Sequence, residues 1–309
     1  MIEIQRILCP VDFSDYSRHA LEHAVALARR YESTITVLHV FSTVPVAAYA
    51  PGMPGFEPIV LTREDRDQLL AELKRFVETE STPGVPMDAV IREGDTTSEI
   101  LDQATDMKAE LLVMGTHGRS GFEKFLLGSV TEKVLRKAGC PVLTVPRRHP
   151  DAVPATPVLF KQILCPVDFS DCSMQALNYA MSLAQEADAH LTVLHVMTDE
   201  LARTPDAYGA IIMNDRESLA DFRRRCEDAT RQRLKDAVPE TVAAYCHVET
   251  VVASGKPSRE ILRIAGEQQS EVIVVGVHGR GAADLMFFGS TTNHVVREAT
   301  CPVLTIRQI

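Results

Sequence analysis

The nine residues ILCPVDFSD stand at 7 to 15 and again, unchanged, at 163 to 171. Nothing constrains the fold of this 309-residue chain more, because a stretch that recurs with its surroundings marks a unit the chain builds twice. TVLHV at 36 to 40 returns at 192 to 196, keeping the offset of 156 residues. Later landmarks are offset by 161: Gly94 and Gly255, Gly115 and Gly276, Gly128 and Gly289, and CPVLT at 140 to 144 and 301 to 305. The second copy therefore carries five extra residues between positions 196 and 255. The repeat predicts two homologous domains, 1–146 and 159–309, joined by a linker over 147–158. The stretch PRRHPDAVPATP around that linker has four prolines and no apolar periodicity.

Each copy alternates strand and helix signals. In the first, RILCPVDF reads as a strand, Ser14 as the N-cap of a helix over about 15–31, and STITVLHVF as a second strand. A loop rich in Pro and Gly follows. Then come a charged amphipathic helix near 62–80, a strand at 86–92, and a helix at about 96–106 opened by a capping box from Thr96 to Glu99. The strand ELLVMG, a glycine segment, a helix at about 129–138 and the strand PVLTVP complete the unit. Such alternation predicts an α/β fold, a parallel sheet covered by helices on both faces. Open sheets of this kind bind ligands outside the carboxyl ends of their strands, where the strand order reverses.

The glycine segment lies at that place. GTHGRSGFEKFLLGSVTEKVL at 115–135 and GVHGRGAADLMFFGSTTNHVV at 276–296 share three glycines in register before a helix, at 115, 118 and 128 and at 276, 279 and 289, and follow the last with serine. Glycine lets a backbone approach a phosphate and adopt positive φ, while first-turn N–H groups and the helix dipole favour an anion. Ser129 and Thr131 would add hydroxyl donors. The competing explanation is that the glycines only turn the chain and Ser129 caps the helix. Recurrence in register between a strand and a helix favours the phosphate cradle.

Composition narrows the functions. With 45% apolar and 24% charged residues the chain can bury real cores, and a formal net charge of −10 argues against nucleic acid or an anionic membrane as partner. The densest basic run, RRR at 223–225, is flanked by Asp221, Glu227 and Asp228 and reads as a solvated helix face. No apolar stretch approaches the roughly 18 residues of a membrane span. The opening residues carry no signal-peptide core, so a cytoplasmic protein is expected. Seven cysteines, an odd number without a Cys-x-x-Cys pair, suit reduced thiols. SGKPS at 254–258 imitates the end of a Walker loop, but Thr250 stands where its glycine should be and Pro257 where Ser or Thr should follow lysine. His19 and His23 have metal-ligand spacing but align with Gln175 and Tyr179, so no metal is expected there. His39 and His195 recur at the end of strand two and read as hydrogen-bonded strand histidines.

Gly-x2-Gly-x9-Gly-Ser after the fourth strand, PVDFS closing the first, LHV closing the second and a final CPVLTV together resemble the universal stress protein family, in its ATP-binding branch and tandem two-domain form. The resemblance covers nearly the whole chain. It implies an open five-stranded parallel sheet in the order 3-2-1-4-5 in each domain, and ATP, with or without Mg²⁺, as the usual ligand. Carried over by position, Pro10, Val11 and Asp12 would border ribose and adenine, with Val40 offering its backbone to adenine. Met114 and Gly115 would flank the ribose, and His117, Gly118, Gly128, Ser129, Val130 and Thr131 would hold the phosphates. The second copy supplies Pro166, Val167, Asp168, Val196, Val275, Gly276, His278, Gly279, Gly289, Ser290, Thr291 and Thr292. There RGAADLMFF replaces RSGFEKFLL, losing Gly121 and Lys124 while Asp284 stands for Glu123, which predicts a less basic and weaker second phosphate loop. The extra residues are expected ahead of the second helix, altering the lid over adenine.

Three functions stay open on the sequence: a nucleotide-dependent regulatory protein with an unidentified protein partner, a slow ATPase or phosphotransferase, and a scaffold that needs no nucleotide. Each site offers His117 or His278, Arg119 or Arg280, and Asp12 or Asp168, yet no acidic pair dedicated to a metal, so at most slow hydrolysis is expected. No motif bears on whether two chains form a homodimer. In the implied order, PVLTV at 141–145 and PVLTI at 302–306 are uncharged edge strands that would invite aggregation unless covered. We expect them to pair antiparallel about a pseudo-twofold axis, making the chain an internal dimer. A cysteine introduced at Thr144 and another at Thr305 should then cross-link within one chain, and failure to do so under oxidising conditions would count against the pairing.

Overall fold

The computed structural model describes residues 2–42, 61–80, 83–118, 127–147, 160–198, 219–278 and 288–307. The chain divides into two compact units, Glu3–Val158 and Leu159–Ile309. In the first, the elements are β1 (Arg6–Pro10), α1 (Asp15–Tyr31), β2 (Thr34–Phe41), α2 (Arg63–Glu80), β3 (Met87–Glu93), α3 (Thr96–Asp106), β4 (Leu111–Gly115), α4 (Ser129–Lys137) and β5 (Val142–Val145). The second contains β6 (Gln162–Pro166), α5 (Asp171–Ala187), β7 (His190–Met197), α6 (Leu219–Asp236), α7 (Glu240–Ala243), β8 (His247–Ser254), α8 (Pro257–Glu267), β9 (Val272–Gly276), α9 (Ser290–Glu298) and β10 (Val303–Ile306).

The strand order is β3-β2-β1-β4-β5 in the first unit and β8-β7-β6-β9-β10 in the second, every pairing within a unit parallel. The central strands are apolar on both faces because both are covered: Leu8, Leu38 and Leu112 are fully buried, as is Leu164. Right-handed crossovers put α1 and α2 on one face, and α3 and α4, which connect strands in the opposite direction, on the other. The order reverses between β1 and β4, and between β6 and β9. In open parallel sheets such reversal points are where crevices form.

Local chemistry sets the helix starts. Ser14 accepts from the N–H of Ser17, and Ser170 from that of Ser173, so α1 and α5 begin where the sequence predicts. The capping box expected from Thr96 to Glu99 is not formed. Asp95 is the N-cap of α3, its Oδ1 accepting from the N–H and Oγ of Ser98 at 3.0 and 2.9 Å. Its shorter carboxylate reaches the first turn one residue earlier.

Two further expectations are corrected. The first strand stops at Pro10 rather than running through Phe13, and Phe13 turns the chain with φ of 63°, as does Phe169 with the same value. The five extra residues do not precede the second helix. The connections from β2 to α2 and from β7 to α6 are both 21 residues long, and the insertion falls after α6, where the turn α7 and a β8 of 8 residues against 7 in β3 absorb it.

Gly115 and Gly276 end β4 and β9 against the first turn of α1 and α5. A Cβ on Gly276 would lie 2.9 Å from the backbone carbon of Cys172, and one on Gly115 3.1 Å from that of Tyr16. Backbone cannot yield as a side-chain tip can. Gly276→Ala should therefore destabilise the second unit by about 1–3 kcal/mol. Gly266, inside α8 with nothing within 4 Å of its missing Cβ, should do the reverse: Gly266→Ala should stabilise by about 0.5–1 kcal/mol. Urea unfolding of the full chain checks both, and shifts of the same sign would overturn the packing argument.

Candidate functional site

The site grows from the residues just beyond β1 and β6. Left-handed Phe13 folds the chain back so that Asp12 Oδ1 accepts from the N–H and Oγ of Ser14 at 3.1 and 2.5 Å, while its own N–H donates to Ser17 Oγ at 3.3 Å. The second unit repeats this at Asp168, with 3.0 and 2.6 Å to Ser170 and 3.3 Å to Ser173. The Phe13 ring is thrown onto His39, centroids 4.5 Å apart, and Phe169 onto His195 at 5.0 Å. His39 Nδ1 contacts the carbonyl of Val11 at 2.8 Å, and His195 Nδ1 that of Val167 at 2.7 Å. Since a carbonyl only accepts, both rings carry their proton on Nδ1 and serve as hydrogen-bonded strand histidines.

Across the switch point, β4 and β9 lead into the phosphate-loop candidates. Gly128 donates to Thr116 O at 2.8 Å and Gly289 to Val277 O at 3.0 Å, which hold the starts of α4 and α9 beside the strand ends. Gly128 and Gly289 are the N-caps, and no side chain caps either helix. Ser129 and Ser290 are therefore the first helical residues rather than caps, and the first-turn N–H groups of both helices lack a capping side chain. Thr131 departs from its expected part: its buried hydroxyl donates to Gly115 O at 3.0 Å, and that of Thr292 to Gly276 O at 2.8 Å. These hydroxyls latch helix to strand, leaving backbone N–H as what the residues can give an anion.

The glycines act by closeness and not by positive φ, since none of the described ones in this segment has it. A Cβ on Gly118 would lie 2.5 Å from Asp12 Oδ2, so glycine here lets the loop pass the carboxylate. In the first unit Pro10 ends β1 with Val11 and Asp12 just beyond it, Val40 lies near the end of β2, and Met114 and Gly115 end β4 with His117 and Gly118 beyond it and Ser129, Val130 and Thr131 in the first turn of α4. All face one end of the sheet. Gly279, together with Arg119, Gly121, Glu123, Lys124, Arg280 and Asp284, lies outside the described residues.

In the second unit the same positions line a single cavity of about 930 Å³, within the range of small-molecule sites. Pro166, Val167, Asp168 and Val196 form one end, and Val275, Gly276, His278, Gly289, Ser290, Thr291 and Thr292 the other. Its walls also include Phe169, His195, Cys226, Thr230, Arg233 and Phe288, which sequence reasoning did not select. Phe169 was within reach, since it belongs to the repeated PVDFS. The residues of α6 carried no signal, because which face of that charged helix turns inward depends on how it lies on the sheet.

The two histidines of the loops differ. His117 Nδ1 is 3.0 Å from Thr116 Oγ1, and its ring lies 5.3 Å from that of Tyr16. Val277 stands where Thr116 does, and both ring nitrogens of His278 are buried without a partner in the cavity wall. Among the described residues no three potential ligands could hold a metal; His19 Nδ1 contacts Glu22 Oε2 at 2.8 Å and His23 Nδ1 the carbonyl of His19 at 2.9 Å. No helix among them is long and apolar enough to cross a membrane.

Two segments of the chain, 3–146 and 159–307, match the sequence model of the Universal stress protein family. A universal stress protein of Mycolicibacterium smegmatis is 26% identical over 97% of this chain and 96% of its own, and one of Mycobacterium tuberculosis 28% identical over 89% and 87%. A protein of that name from Methanocaldococcus jannaschii is 35% identical over 46% of this chain and 81% of its own length. The crystal structure of a universal stress protein from Archaeoglobus fulgidus superposes with a TM-score of 0.65 at 23% identity, covering 100% of this chain and 98% of that one, a likeness of fold.

Burial sorts the thiols. Cys9 and Cys165, in the central strands, are pushed far up by desolvation, and burial pushes Cys140 up to about 11 and Cys301 to about 12. Thiolate is the reactive form. Iodoacetamide at pH 8 should therefore modify half-buried Cys226 on the cavity wall first, and Cys9 and Cys165 only after unfolding. Peptide mass spectrometry reads the order, and early labelling of Cys9 or Cys165 would contradict the packing of the sheet.

Proposed function

Because the chain belongs to the universal stress protein family, we propose that each unit binds ATP at the carboxyl end of its sheet and that the protein is a nucleotide-dependent regulator. One observation carries this reading: in the second unit the uncapped start of α9 and the Asp168–Val196 end of the sheet line the same cavity. An anion and a nucleoside joined to it thus have a place in one pocket. N–H groups of Ser290, Thr291 and Thr292 take the phosphates, assisted by the dipole of α9. Asp168, aligned by Ser170, accepts from ribose hydroxyls, and the backbone of Val196 meets the base. The first unit offers Ser129, Val130 and Thr131, Asp12 and Val40 in the same roles.

These groups bind a ground state. Acceleration needs groups that act preferentially on the transition state, and phosphoryl transfer needs a placed base and charge neutralisation. His39 and His195 are committed through Nδ1 to backbone carbonyls beneath the site. Binding therefore outlasts hydrolysis, and a bound nucleotide serves as a signal read by another protein. Multiple turnovers per second with Mg²⁺, abolished by His117→Ala with His278→Ala, would replace this reading by that of an enzyme.

Calorimetry should count about two ATP per chain. Gly118→Val puts a branched side chain into the space of the Asp12 carboxylate and should remove one site, Gly279→Val the other, and the pair both, with circular dichroism unchanged. Unaltered ATP binding by the folded double variant would refute the cradle.

A further inference from the structure

The wall of the cavity in the second unit contains a cation, Arg233, with no equivalent on Phe13 among the described residues of the first unit. In the first unit, α2 covers Phe13 with Phe76, edge-on at 5.5 Å. Arg18 lies outside Phe76, 4.4 Å from its centroid, and is paired with Glu80 at 2.9 Å and Thr79 at 2.8 Å. Three of the residues of α2, Leu73, Phe76 and Val77, are buried there. In the second unit α6 buries Leu234, and Met174 replaces Arg18 in the repeat. The guanidinium of Arg233 then sits directly on Phe169, 3.9 Å from the ring centroid, as part of the cavity wall. Among the described residues its side chain has no ion pair or hydrogen bond. One face is held by the ring, and five N–H donors in a fixed plane are left for whatever enters.

We propose that Arg233 is a ligand-contacting residue that sets the base preference of the second site, favouring a 6-oxopurine nucleotide over a 6-aminopurine one. The inference rests on the nucleotide reading of the cavity. With phosphates at α9, beyond β9, the base lies at the other end, beyond β6 and β7, where Arg233, Phe169 and His195 converge. A guanidinium fork matches two adjacent acceptors. The O6 and N7 edge of guanine presents such a pair, whereas adenine places an amino donor beside N7. The apolar Phe76 of the first unit makes no such distinction. ATP is then the poorer ligand of the second site for a reason at the base end as well as in its phosphate loop.

The test isolates the second site with Gly118→Val and titrates it calorimetrically with ATP and with GTP. GTP should bind tighter by about tenfold, in keeping with one bidentate guanidinium contact. Arg233→Met, on the exposed side of α6, should bring the two affinities within twofold of each other with circular dichroism unchanged. Arg233→Lys, a point charge without the fork, should restore less than half of the preference in logarithmic terms. A GTP preference that survives Arg233→Met, or ATP binding with no preference for GTP, would overturn the assignment. Failure of the unmodified protein to bind either nucleotide would overturn the site reading beneath it.

Discussion

The close approach of β4 to α1, and of β9 to α5, is the constraint on which the rest depends. At Gly115 the strand end lies against the backbone of Tyr16, and at Gly276 against that of Cys172, near enough that a methyl group would collide. That approach fixes where the chain emerges from the sheet. Thr131 and Thr292 then anchor the next helix to the same two glycine carbonyls, so strand end, loop and helix start are tied at a single point. Across from these glycines, left-handed Phe13 and Phe169 follow Asp12, whose carboxylate lies against Gly118, and Asp168, which lines the cavity of the second unit. A non-glycine residue held at positive φ costs free energy, roughly 1 kcal/mol or more, and persists where its surroundings over-determine it. Here the surroundings are His39 and His195, which hold the aromatic ring and the carbonyl before it.

Much of this was legible in the sequence because local rules and the repeat agree. The helix from 15 to 31 is bounded by Ser14, whose hydroxyl can reach the first turn, and the structure starts α1 there. The alternation of elements required a parallel sheet, and the strand order came with the family resemblance. Failures have physical causes. Asp95 outcompeted Thr96 as a cap because its carboxylate accepts two bonds from Ser98. The length difference between copies was placed before the second helix, since a single sequence aligned to itself locates an insertion only between conserved landmarks, and α2 and α6 share little pattern. Thr131 was read as a phosphate donor because its hydroxyl, in sequence, is indistinguishable from that of Ser129; only burial against Gly115 shows where it is spent.

Duplication explains why the two sites share a frame and differ in their walls. Residues that hold the frame recur: Asp12 and Asp168, Ser14 and Ser170, His39 and His195, Gly115 and Gly276, Thr131 and Thr292. Each makes the same contact within its own unit. The walls differ. Val277 in place of Thr116 leaves the sheet intact and frees a buried imidazole, and Arg233 on Phe169 replaces an aromatic cover by a cation.

The direction of that divergence follows from where the free energy lies. Buried apolar cover, as in Leu73, Phe76 and Val77, stabilises the unit whether or not a ligand is present, by about 1.5–3 kcal/mol for each fully buried side chain. The guanidinium of Arg233 gains its contact with Phe169 in either state and leaves its donors to water, while the buried, unpartnered imidazole of His278 costs free energy until a polar group meets it. The first unit puts these side chains of α2 into its own packing, whereas α6 of the second unit turns the guanidinium of Arg233 onto Phe169 at the cavity wall, where it adds little to the apolar core.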